Sequence, residues 1–198
     1  MPAVVPERNL SVAEGGEPSL AEAEPPIGIV IDVVHDAGDW GSLDIASDAV
    51  MAAAGALAAE LAIGGSEACV ALSSDAEVAR LNATYRGKQT ATNVLSFPAA
   101  RAFDPAAGVR SLGDLVLAAE TVEREAKELG LPHEHHLQHL VVHGLLHLLG
   151  YDHEKDDEAD EMEALEVRIL ARLGIDNPYA AAGEPLTSRR QKPEPPKS

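Results

Sequence analysis

The chain has 198 residues, of which 45% are hydrophobic and 3% aromatic, and a formal charge of -18 at pH 7. That length fits one domain with a proper core, while the charge runs against the basic surface that a phosphate-binding protein ordinarily presents. A single cysteine, Cys69, excludes an intrachain disulfide, points to a reducing, cytoplasmic setting and, in its apolar run, reads as a buried inert thiol.

Residues 1–26 are rich in proline and glutamate and read as a disordered acidic extension. They lack the basic segment and apolar core of a secretory signal. The β-branched run from Ile27 to Val34 predicts a strand, and the alanine-rich stretch from Leu43 to Leu61 an amphipathic helix. The near-apolar part of that helix is about half the length a membrane span needs, so no membrane partner is expected. Ala68 to Leu72 predicts a second strand, and Ser74-Asp75-Ala76-Glu77 is a capping box opening a short helix through Tyr85. Thr92 to Phe97 predicts a third strand, Ala99 to Ser111 a loop, and Leu112 to Ala118 a fourth strand leading into a helix that ends at Gly130. A helix from about His135 to Leu149 follows. The last helix, Asp156 to Leu173, turns Met162, Leu165, Ile169, Leu170 and Leu173 inward and stops at Gly174. Residues 180–198 return to proline and polar side chains and read as a disordered tail. The folded part is therefore 27–179, a single α+β domain in which a small mixed sheet of four strands is packed by about five helices, with strand order left open.

The most informative stretch is His143 to His153. On a helix, His143 and His147 project from one face one turn apart, the geometry two imidazoles need to share one ion. Gly150 ends the helix and allows the chain to return His153 as a third nitrogen, with a fourth position left for water or substrate, as in a catalytic zinc site. A lone histidine on an apolar helix is more often a core residue. Here, however, His136, His139, His143 and His147 form one strip on an otherwise apolar helix, which predicts a buried central helix with its polar strip on a cleft. His139 is the rival third ligand, but eight residues from His147 means a rise of about 12 Å, too far for one tetrahedron.

The string His143-Gly144-Leu145-Leu146-His147-Leu148-Leu149-Gly150-Tyr151-Asp152-His153 resembles the signature of the YbeY family, metal-dependent endoribonucleases that mature ribosomal RNA. Leu81-Asn82-Ala83-Thr84-Tyr85-Arg86-Gly87-Lys88 with Thr92-Asn93-Val94-Leu95-Ser96-Phe97-Pro98 resembles its second signature, and Gly113-Asp114 and Asp156-Asp157-Glu158 also match. The segment Gln89-Thr90-Ala91-Thr92 departs from it, lacking a charged pair. The resemblance implies a cytoplasmic single-strand-specific endoribonuclease in small-subunit ribosomal RNA end maturation and ribosome quality control. It further implies one zinc ion per chain on His143, His147 and His153, catalytic roles for Arg86 and His143, substrate contacts from Arg86 and Lys88, ribosomal RNA and the ribosome as partners, and no DNA.

Between Ala76 and Arg110 five cationic residues, Arg80, Arg86, Lys88, Arg101 and Arg110, stand against Glu77 and Asp104, so RNA is expected along this window. Arg86 suits a bidentate grip on phosphate, although an exposed arginine at a helix end also favours the helix dipole. Tyr85 and Phe97 are read as packing residues. The segment from Glu154 to Glu166 carries eight acids and one lysine, read as a solvated helix face, with orientation of the imidazoles as the alternative role. Two rival functions stand beside the nuclease. One is a zinc amidase or peptidase, which at position 144 has glycine where the protease motif has its glutamate base. The other is a metal-stapled, ribosome-associated binding factor.

Overall fold

The computed structural model describes residues 28–100, 103–104, 109–153 and 155–180. Both predicted tails lie outside the described residues, apart from Ala180, as do Ile27, Arg101 and Glu154.

Alternation along the strands sorts side chains onto two faces of one sheet. On one face, Ile29, Ile31 and Val33 of β1 (Ile29–His35), Ala68, Val70 and Leu72 of β2 (Ser66–Ser73), and Leu115 and Leu117 of β5 (Val109–Ala118) meet the helices. Helices α1 (Leu43–Leu61), α4 (His133–Leu149) and α5 (Asp156–Arg172) complete that core. On the other face, α2 (Asp75–Arg86) seats Val78 on Leu95 of β3 (Val94–Pro98) and on Ala118, forming a smaller cluster. Helix α3 (Ala119–Leu129) follows β5 directly.

The sheet order is β1-β2-β5-β3, with β1, β2 and β5 parallel and β3 antiparallel to β5. Parallel neighbours need crossovers, and α1 supplies the first. This is the mixed four-stranded α+β domain with five helices that the patterning predicts. One detail differs. The expected loop from Ala99 to Ser111 contains a two-residue strand, β4 (Phe103–Asp104), which pairs with the start of β5 and extends that strand back to Val109. The capping box is also half formed: Ser74 Oγ accepts from Glu77 N at 3.4 Å, while the Glu77 carboxylate accepts from Arg80 instead.

Helix α4 is the central element. Its residues Leu137, Val141, Val142, Leu145 and Leu146 are fully buried, and it lies against α1, α3, α5, β3 and β5. Gly144 makes the approach to the sheet possible, since a Cβ there would sit 2.8 Å from Leu115 Cδ2. Alanines 46, 49, 53, 54 and 58 give α1 a similarly slim buried face. Cys69 is half-buried rather than buried, on the less covered face of the sheet, and desolvation, then Asp114 and Asp32, push its thiol up, which keeps it protonated and inert.

Gly113 marks a bulge. The register steps from Glu67↔Ser111 to Ala68↔Gly113, so Leu112 is the extra residue. Gly113 has φ of 121°, and a Cβ would lie 2.2 Å from the Phe97 carbonyl oxygen. Gly113→Ala is therefore expected to cost about 3–5 kcal/mol, from backbone strain plus a collision with main chain that cannot move aside. A urea unfolding curve measures this, and a loss under about 1 kcal/mol would mean the bulge relaxes freely.

Candidate metal centre

Helix α4 ends at Gly150, whose left-handed φ of 99° lets its N–H reach the His147 carbonyl while the Tyr151 N–H reaches that of Leu146. This reversal folds Tyr151 to His153 back over the last turn of the helix. The ligand nitrogens of His143, His147 and His153 consequently lie within 4.8 Å of one another. The ring of His153 stacks on that of His143 at 5.6 Å and meets that of His147 edge-on at 5.0 Å.

The hydrogen bonds fix which nitrogen of each helical histidine carries the proton. A carboxylate and a carbonyl only accept, so His143 Nδ1–H donates to Glu166 Oε1 at 2.8 Å, and His147 Nδ1–H donates to the Tyr151 carbonyl at 3.0 Å. Each Nε2 of the neutral rings is then a bare lone pair. These two nitrogens are 3.1 Å apart, an arrangement that repels unless a cation lies between them. Two corners of a tetrahedron with bonds of about 2.0–2.1 Å are about 3.3 Å apart, so this pair is spaced to share one ion of that kind. Burial, and then the neighbouring His143 and His153, push the His147 pKa down, which keeps its ring neutral and able to coordinate.

Glu166 is the residue that sequence patterning misses. It sits among the acids of α5, read chiefly as a solvated face with orientation of the imidazoles as the alternative, and it fits that alternative: it is 1% exposed and touches the candidate ligand His143. Burial alone would raise its pKa, but the nearby His139 imidazole, 3.8 Å away, and hydrogen bonds from His143 and Tyr179 outweigh it and hold the carboxyl at about 2. The Tyr179 hydroxyl donates to Glu166 Oε2. Burial and that carboxylate push the phenol upward, so it keeps its proton. The available signal is helical phase: Glu166 follows Met162 by four residues and precedes Ile169 and Leu170 by three and four, which places it on the inward stripe.

The predicted histidine strip divides into three environments. His143 and His147 join the metal group. His139 lies 3.8 Å from Glu166 and edge-on to the Tyr179 ring, outside that group. His136 is buried, its Nε2 2.9 Å from Glu125 Oε2, which also accepts from Asn93 Nδ2 at 3.0 Å. Glu125 and Asn93 thereby tie α4 to α3 and to the start of β3.

Arg86 is the last residue of α2 and is exposed, as is Lys88 beyond the Gly87 cap; among the described residues neither makes an ion pair. Tyr85 packs edge-on against Phe97 at 5.2 Å, and the adjacent Ser96 Oγ donates to the Gly144 carbonyl at 3.4 Å. Arg86 thus stands across β3, an end strand of the sheet order, from the ligand-bearing helix. Arg80 is engaged by Glu77. Tyr85 is 68% exposed, so its packing on Phe97 leaves most of the ring open. At position 144, where the protease motif has its glutamate, a Cβ would already lie 2.8 Å from Leu115 Cδ2, so this position is packed against the sheet. No helix among the described residues is long and apolar enough to cross a membrane.

A family model described as Endoribonuclease YbeY matches residues 43–174. A protein named Endoribonuclease YbeY from Rhodopseudomonas palustris is 49% identical over 152 residues, covering 75% of this chain and 80% of that protein. One of the same name from Parvibaculum lavamentivorans is 48% identical over 163 residues, covering 78% and 86%. The solution structure of TM1509 from Thermotoga maritima aligns with a TM-score of 0.47 at 23% identity, covering 72% of this chain and 92% of that one.

Proposed function

This chain belongs to the YbeY endoribonuclease family, and from that membership we propose that it is a zinc-dependent enzyme cutting single-stranded RNA during ribosomal RNA maturation in the cytoplasm. The observation that carries the metal part is the pair of bare Nε2 atoms 3.1 Å apart on His143 and His147, with His153 beside them. One zinc ion bound there supplies Lewis acidity that stabilises charge developing on a phosphate oxygen.

The chain's own residues hold and orient the substrate. Arg86 offers a planar fork of donors to the phosphate and Lys88 a point charge, both on the basic window of an otherwise acidic protein. His143, its Nδ1–H held by Glu166, would present Nε2 to the metal in a fixed direction. RNA then runs along the β3 edge between Arg86 and the metal group, with the ribosome as the setting in which that strand is presented.

The test is cleavage of a single-stranded RNA by the purified full chain, with chelator and with zinc restored, beside a peptide substrate. Cleavage that stops with chelator, returns with zinc and leaves peptide intact is expected. Undiminished cleavage in chelator would remove the metal from the reaction, and absence of cleavage with zinc bound would leave a binding factor.

A further inference from the structure

We infer that the segment beyond α5 is part of the metal centre, with Glu166 and Tyr179 acting as positioning residues for the ligand His143. The inference rests on the metal-binding reading above and goes further, because it assigns roles to two residues that neither coordinate nor touch RNA.

The geometry is a chain of three contacts. Tyr179 O–H donates to Glu166 Oε2, Glu166 Oε1 accepts from His143 Nδ1–H at 2.8 Å, and His143 Nε2 faces His147 Nε2 at 3.1 Å. An imidazole fixed through one nitrogen presents the other in a set direction and as the correct tautomer, and its ligand basicity rises. Glu166 alone could rotate between His143 and His139, which lies 3.8 Å from its second oxygen. Tyr179 removes that freedom by occupying Oε2, so that Oε1 is left for His143. The tyrosine is itself held from two sides. Its ring meets His139 edge-on at 6.0 Å, and its N–H donates to Asn177 Oδ1 at 2.8 Å in the turn after Ile175, whose N–H reaches the Leu170 carbonyl. A strap of chain after the last helix is thereby fastened beside the ligands.

The experiment measures zinc affinity of the full chain by competition with a chromophoric chelator, together with the thermal midpoint of the metal-free protein, for wild type, Glu166→Gln and Tyr179→Phe. Loss of an outer partner of a ligating histidine is expected to weaken zinc binding by about 10–100-fold in Glu166→Gln. Tyr179→Phe keeps the ring and loses one hydrogen bond to a buried carboxylate, so about fivefold weaker zinc binding is expected, together with a lower metal-free midpoint. Affinity is read well below that midpoint, where the chain is folded, so wild-type affinity in Tyr179→Phe, whatever its midpoint, would overturn the role of the strap and reduce the tyrosine to packing. If Glu166→Gln fails to fold, Tyr179→Phe still decides. A wild-type chain that binds no zinc would instead bring down the metal reading itself.

Discussion

His147→Ala is expected to bring zinc content from one ion per chain to near zero and to abolish RNA cleavage with it. Removing an outer partner of a ligand costs 10–100-fold in affinity, and removing one of three ligands costs more. His147 has no substitute within reach, since among the described residues only His143 and His153 share its group. His139→Ala is the matched control, with zinc content expected to stay at one ion per chain. Metal analysis of the two purified variants checks this, and equal loss in both would mean that His153 is the wrong third ligand or that the metal is shared differently among the histidines.

Arg86→Lys is expected to lower RNA cleavage by roughly tenfold to a thousandfold, the scale of losing one transition-state donor, with zinc content and melting temperature unchanged. Lysine keeps the charge and loses the planar fork. A capping role for Arg86 predicts the opposite, because either cation suits the end of a helix dipole. The structure narrows that alternative. Gly87 already closes α2, its left-handed backbone letting its N–H reach the Ala83 carbonyl and the Lys88 N–H that of Asn82, and the Arg86 side chain is exposed. Single-turnover cleavage by Arg86→Lys at the wild-type rate would take this side chain out of the mechanism.

What could be read without coordinates follows from which interactions are local. The spacing of His143 and His147, the stop at Gly150 and the return of His153 all depend on backbone geometry within three turns of chain, and the pattern alone gives the group. Glu166 and Tyr179 depend on how α5 and the chain beyond it lie against α4. A run of eight acids hides the one that faces inward unless its phase is compared with Met162, Ile169 and Leu170. His136 is a similar case: on the strip it is indistinguishable from a ligand, and its partners Glu125 and Asn93 are remote in sequence. The strand order β1-β2-β5-β3 rests on long-range pairings to which the alternation of side chains is blind. The short strand β4 was missed because two residues carry no periodicity.

The turn at Gly150 gathers all three candidate ligands from one helix and its immediate exit, so an ion held there would close a loop of only about ten residues. Closing so short a loop, most of it already stiffened as helix, removes little chain entropy from the unfolded state. A zinc ion held there would thus be a late addition to a finished fold, unlike the ion of a zinc finger, around which the chain condenses. On that reading the chain without the ion is expected to keep its sheet and core and to take the ion up again without refolding. Metal supply would then act as a throttle on catalysis, while the fold would rest chiefly on the leucine-rich layer between α4 and the sheet.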